Sequence, residues 1–240
     1  MRGIYLVGTD TEIGKTVISA ALVYILCKAG YKTAYFKAAL SDAEELNGKL
    51  IPGDTEFVCS LSGIQEDYEK LTPYIYKTAV SPYLASKIEN KPIDIQVIKD
   101  KLTKLENEYG YVLCEGSGGV ICPITDVDNK IYTLGNLIKD MKMDVILVCR
   151  AGLGTINHTV LTVSYLKNNG IEVKGIIVNQ YEENRLCKDN INMIKKMTGI
   201  PILGVMPYIN ENKKNFIEEL KYNACNIFKA DEIAGLMKEV

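Results

Sequence analysis

Apolar runs of four to six residues recur along this chain, each separated from the next by a stretch with helical spacing. Strands are expected at 3–7, 33–37, 111–114, 145–149, 173–178 and 202–206. The last four are nearly continuous in apolar residues, as in Val145-Ile146-Leu147-Val148-Cys149. Alternation is missing because parallel strands are buried on both faces. The intervening pattern predicts helices near 14–29, 54–62, 81–89, 95–109, 133–141, 155–169, 188–198 and 211–228, and a last one near 231–239. Gly30 and Gly170 stand where helix C-terminal caps belong. Strands alternating with helices predict an α/β fold: a doubly wound, mostly parallel sheet with helices on both faces. No linker or low-complexity stretch divides residues 1–240, which read as a single domain.

The first strand runs directly into Gly8-Thr9-Asp10-Thr11-Glu12-Ile13-Gly14-Lys15-Thr16, and the apolar segment Val17 to Cys27 follows at once. Strand, glycine-bounded loop, Lys-Thr and helix come in the order of a phosphate-binding loop. Gly14 lets the backbone approach phosphates, and the amides at the start of the helix point at them. Lys15 reaches the β and γ oxygens, and the Thr16 hydroxyl is placed to ligate Mg2+. Five residues separate Gly8 from Gly14 where the usual loop has four, so Thr9 stands in the place of the usual first glycine.

Composition narrows the partners. The net charge of −2, with basic residues scattered, gives no electrostatic footprint for nucleic acid. No segment approaches the roughly 20 apolar residues of a membrane span, and no secretory leader is apparent. Seven cysteines without framework spacing fit a reducing, cytoplasmic setting. One histidine, His158, gives little support to a zinc site or a Ser-His-Asp triad.

In such sheets ligands gather at the carboxyl ends of the strands. Read in order, those ends are the phosphate loop, Lys37, Glu115-Gly116-Ser117-Gly118-Gly119, Arg150 to Gly154, Asn179-Gln180 and Pro207-Tyr208. Glu115 is either an acidic strand end holding the metal or a merely solvated one. Asp54, after Pro52-Gly53, reads equally as a helix cap or as a metal ligand. Lys37 ends a strand expected beside the first, where a second cation suits an anionic acceptor attacking a γ-phosphate. Two like charges 4 Å apart repel by about 1 kcal/mol in water and about 4 kcal/mol at an effective dielectric near 20, so such an acceptor needs a cation. The free amides where Gly152-Leu153-Gly154-Thr155-Ile156-Asn157-His158 opens a helix either hold a carboxylate or are plainly capped.

Three of these signatures together resemble the dethiobiotin synthetases: Gly8 to Thr16, Glu115 to Gly119, and Gly154-Thr155-Ile156-Asn157-His158-Thr159. The spacing agrees to about residue 211. The resemblance implies a homodimeric ligase of biotin synthesis that converts 7,8-diaminononanoate, CO2 and ATP to dethiobiotin, ADP and phosphate through a carbamate and a carbamic-phosphoric anhydride. On it, Lys15 and Lys37 are the catalytic cations, and Thr16, Asp54 and Glu115 hold Mg2+. Thr11, Glu12, Ile13, Gly14, Lys15, Thr16 and Val17 cradle the nucleotide, together with Glu115, Gly116, Ser117 and Gly118. Asn179 with Gln180, and the Pro207, Tyr208 and Glu211 loop, take the base. Ser41 touches the substrate, and Leu153, Gly154, Thr155, Ile156 and Asn157 of the partner subunit receive its carboxylate tail. The chain departs from the family where Ala38 replaces the usual proline after Lys37, and where Ser41-Asp42 replaces a Thr-Gly or Ser-Gly pair.

Three other readings compete. A cobyric-acid-type amide synthetase shares the nucleotide fold but normally appends a glutaminase domain, for which 240 residues and one histidine leave no room. Partitioning and division-site ATPases use a lysine four residues before the loop's last glycine, where this chain has Asp10. A nucleotide-binding regulator without ligase activity is the third, prompted by the altered 38–45 loop.

Overall fold

The computed structural model describes residues 1–127 and 129–240. From the N-terminus the chain forms β1 (Arg2–Gly8), α1 (Lys15–Lys28), β2 (Thr33–Lys37), β3 (Ala39–Leu40), β4 (Glu44–Leu46), β5 (Lys49–Ile51) and α2 (Gly53–Ser62). It continues with α3 (Tyr68–Leu71), β6 (Tyr74–Ile75), α4 (Pro82–Ile88), α5 (Ile95–Leu105), β7 (Tyr111–Gly119), β8 (Pro123–Val127) and β9 (Lys130–Thr133). Then come α6 (Leu134–Asp140), β10 (Val145–Arg150), α7 (Thr155–Asn168), β11 (Val173–Tyr181) and α8 (Arg185–Thr198). The chain closes with β12 (Ile202–Pro207), α9 (Phe216–Ile227), α10 (Ala230–Leu236) and β13 (Lys238–Glu239).

The main sheet runs β12-β11-β10-β1-β7-β2, with every pair in that order parallel, and β13 adds antiparallel to the start of β1. Alternate residues of β1 feed two cores. Tyr5 and Val7 pack on one side with α4 to α8, whereas Ile4 and Leu6 pack on the other with α1, α9 and α10. Covering both faces is what made the strands read as unbroken apolar runs. Helix α1 buries the consecutive residues Ile18 to Val23 because α2, α9 and α10 pack around it beside the sheet.

The expected six strands and the doubly wound class hold. The expected adjacency of the first two strands does not: β7 lies between β1 and β2. Lys37 therefore pairs in register with Glu115, not with a residue of β1. Several helix bounds also move. Helix α8 starts at Arg185 because the Asn184 side chain caps the Cys187 amide at 2.9 Å. Helix α9 starts only at Phe216, since the Asn210 side chain takes the Asn212 amide and diverts the backbone into turns. Helix α5 stops at Leu105 instead of running to 109. The last helix ends at Leu236, and Lys238-Glu239 instead pairs with Arg2-Gly3.

Small elements that apolar periodicity could not reveal surround the mouth of the sheet. Asn47 (φ 52°) and Gly48 (φ 76°) make the tight turn of the β4–β5 hairpin, a turn that needs left-handed backbone at both positions. A third, small core of Leu40, Ala43 and Ile75 lies under this arm, with β3 pairing β6. Gly30 (φ 88°) and Gly170 (φ 72°) follow their helices in left-handed conformation, as expected.

At Gly175 a Cβ would sit 2.3 Å from Leu203 Cγ. Gly175→Ala is expected to cost about 1–3 kcal/mol through overpacking, seen as a lower denaturant midpoint with an unchanged m value.

Candidate active site

The site is a cavity of about 980 Å³ at the carboxyl ends of the central strands. Its wall includes Thr11, Glu12, Gly14, Lys15, Thr16 and Val17 of the phosphate loop. The loop is tightly wound. A Cβ on Gly8 would meet Ile13 Cδ1 at 2.6 Å, and one on Gly14 would lie 2.1 Å from Asn179 Nδ2. Gly14 itself has φ 79° and starts α1 with no side-chain cap, so the first-turn amides keep no partner within the helix. The Lys15 ammonium folds back onto the Asp10 carbonyl at 2.8 Å. Burial pushes the Lys15 amine down, and nearby Lys37 adds to this against the opposing pull of Glu115.

Opposite the loop, Glu115 is 1% exposed and accepts from three directions. Lys37 Nζ donates to its Oε1 at 2.7 Å and Thr16 Oγ1 to the same oxygen at 3.0 Å, while the Tyr35 hydroxyl donates to Oε2 at 3.0 Å. Lys37 also pairs with Asp54, which lies within the first turn of α2 and does not cap it. Burial pushes the Lys37 amine down, but Glu115 and Asp54 outweigh it and hold the amine above its ordinary value. At Asp54 burial acts upward, and the Lys37 charge and hydrogen bond overcome it, keeping the carboxyl below 3.8. Two carboxylates thus converge on the Lys37 ammonium, and the Thr16 hydroxyl joins them through Glu115. Oxygen-only donors of this kind suit Mg2+, which usually completes its shell with phosphate oxygens and water.

Several other expected residues also reach the cavity: Ser41, Ser117, Gly118, Gln180 and Glu211. Ser117 Oγ donates to the Ala39 carbonyl at 2.5 Å, tying the two loops on that side together. Gly116 sits behind them, where a Cβ would meet Leu134 at 2.6 Å. Asn179 is 4% exposed and donates one amide hydrogen to the Ile13 carbonyl at 2.9 Å, bracing the loop from beneath. Ile13 is likewise buried. Pro207 and the exposed Tyr208 lie outside the cavity wall.

The 153–157 segment lies away from this chain's own cavity. Leu153 is 82% exposed, Gly154 (φ 85°) opens α7 without a side-chain cap, and Thr155 turns inward to the Arg150 carbonyl at 2.5 Å. Sequence reasoning did not single out Tyr5, Phe57, Phe216, Ile124 or Leu134, all in the wall. Each reads as ordinary core, and the stacked pair Phe57–Phe216, with centroids 6.0 Å apart, joins residues far apart in the chain.

A phosphate loop at the edge of a doubly wound sheet, faced by a buried lysine–carboxylate pair, defines a nucleotide-dependent enzyme of the P-loop class. A family model described as an AAA domain matches residues 2–215. The chain is 48% identical to the ATP-dependent dethiobiotin synthetase BioD of Clostridium kluyveri over 239 residues, covering 100% of this chain and 99% of that one. It is 50% identical to the protein of the same name from Clostridium novyi, over 92% of this chain and 95% of the relative. The chain belongs to the ATP-dependent dethiobiotin synthetase family. Among solved structures, the MinC:MinD cell division complex of Aquifex aeolicus superposes with a TM-score of 0.59 at 13% identity, covering 100% of this chain and 98% of that one. The Pyrococcus furiosus cell division ATPase MinD gives 0.58 at 18%, covering 98% and 100%. These two share the fold.

The depressed Asp54 value sets a pH test. Its stabilising contribution is fully present above the unfolded value, about 3.8, and is lost as pH falls through the lower folded value. Asp54→Asn should therefore unfold at lower denaturant than the native chain at neutral pH, and the gap should close well below pH 3.8. A gap independent of pH would remove the Lys37 pairing as its source.

Proposed function

We propose that this chain catalyses the ATP-dependent ring-forming carboxylation of 7,8-diaminononanoate with CO2, yielding dethiobiotin, ADP and phosphate. The observation that carries this reading is the buried Lys37 beside the phosphate loop, inside a cavity large enough for two ligands. At about 980 Å³ it lies at the upper end of the usual 300–1,000 Å³ for small-molecule sites.

An amine of the substrate adds to CO2 and loses a proton, giving a carbamate. A carbamate oxygen attacks the γ-phosphorus and ADP departs, leaving a carbamic-phosphoric anhydride. The second amine attacks its carbonyl carbon, expels phosphate and closes the ring, its surplus proton leaving with the phosphate. The work of this chain is positioning and charge neutralisation. The first-turn amides of α1 and Lys15 take the β and γ oxygens. Thr16, Asp54 and Glu115 would hold Mg2+, which when bound neutralises phosphate charge. With Asp54 and Glu115 so engaged, the Lys37 ammonium is free to face the carbamate. Ser41 touches the diamine, and Gln180 and Glu211 flank the nucleotide from the other side. Asn179 serves the nucleotide through the loop it braces. The chain acts as a homodimer in the cytoplasm, and the 153–157 segment of the partner subunit receives the substrate carboxylate on the open amides of α7.

Incubation with the diamine, bicarbonate, Mg2+ and ATP should give the cyclic urea by mass spectrometry, with one phosphate released per product and none without diamine. ATP turnover that ignores the diamine would refute the reading. Lys37→Gln should keep ATP affinity and lose most turnover, about a hundredfold or more for a group that stabilises transition-state charge. Native-like turnover would remove Lys37 from the mechanism.

A further inference from the structure

Of the carboxylates that line the cavity, Asp54 and Glu115 are held by Lys37. Glu12 belongs to the phosphate loop and Glu211 to the turns after β12. Asp42 remains. It lines the wall beside Ser41, and it is exposed. The chain on either side of this pair is pinned. Leu40 and Ala43 are buried with Ile75, β3 pairs β6, and the Ala43 amide donates to the Tyr76 carbonyl at 3.0 Å. Lys77, the cation that the neighbouring segment brings to this arm, is already paired with Glu45 at 2.8 Å.

Asp42 holds φ 65°, a left-handed backbone that glycine adopts freely and other residues only at a cost. Aspartate commonly offsets that cost by bonding its side chain to nearby backbone. Here the carboxylate has no hydrogen-bond or ion-pair partner among the described residues, and only the Asp42 amide is tied, to the Thr78 carbonyl at 3.4 Å. A charged side chain kept in a glycine conformation at a cavity wall, with no partner in the chain, points to a partner from outside it. The chemistry of the ligands narrows which one. The nucleotide, the carbamate and the substrate's carboxylate are anions that Asp42 repels. An alkyl amine is protonated near neutral pH, as a lysine is, and is the cation that the reaction brings.

We infer that the Asp42 carboxylate is a specificity-determining contact for an ammonium group of the diamine, an inference that rests on the proposed function. Lys37 faces the nitrogen that carries the carbamate, and Asp42 accepts from the other one while it is still charged. Asp42→Asn keeps a residue that tolerates left-handed backbone and removes only the charge. The variant should melt at the native temperature and bind a non-hydrolysable ATP analogue unchanged. By calorimetry its Kd for 7,8-diaminononanoate should rise about tenfold, the low end for a hydrogen bond to a charged group in a site open to water. Added salt should weaken diamine binding by the native chain more than by the variant. Nonanoate, which lacks both amines, should bind the two proteins equally, and Asp42→Gly should repeat the loss for the diamine. An equal loss for nonanoate, or a loss for the ATP analogue in place of the diamine, would overturn the proposal. If the native chain binds the diamine and Asp42→Asn binds it as well, only the Asp42 assignment falls. If the native chain fails to bind it, both readings fall.

Discussion

A carboxylate shut away from water inside a parallel sheet must be paired, and almost everything around this cavity is arranged by that requirement. Glu115 is held by Lys37 from β2, Thr16 from α1 and Tyr35 from β2, and Lys37 in turn holds Asp54 from α2. Taking one partner from a buried ion pair costs about 3–5 kcal/mol, because the remaining charge is stranded. The network therefore fixes how far α1 and α2 stand from the sheet edge. It also sets two carboxylates and an ammonium at fixed places beside the phosphate loop. The charge of Lys37 is balanced by the two carboxylates it touches.

The phosphate loop is held by a different device. Asn179, on the strand two places from β1, donates under the loop to Ile13, and its nitrogen occupies the space a Gly14 side chain would need. Glycine at position 14 thus answers two demands, a left-handed backbone and a close neighbour. Asn179 therefore has a part in shaping the loop that its sequence position did not announce.

The doubly wound class and the loop were legible because their signals are local. Ile4 to Val7 and Val145 to Cys149 are apolar at every position since each side of the strand meets its own core. Gly14-Lys15-Thr16 carries its chemistry in consecutive residues. Strand order left no such trace: the insertion of β7 between β1 and β2 depends on pairing between distant segments, and Lys37 looks the same beside either neighbour. Tyr35 stands in an apolar run and reads as filler, although its hydroxyl reaches Glu115. The β4–β5 hairpin escaped for the opposite reason. Glu44-Glu45-Leu46 is exposed and lacks alternation, and only the Asn47-Gly48 turn marks it.

The same strand order has a consequence for how the molecule comes into being. Thr16 and Glu115 are 99 positions apart, and Lys37 and Glu115 are 78 apart. Parallel pairing over such distances must close a long loop before any contact rewards it. A growing chain released up to β6 already contains the whole phosphate loop and both lysines, yet it lacks the buried carboxylate that disciplines them. The charged cluster at the cavity is thereby completed only when the centre of the sheet has been filled.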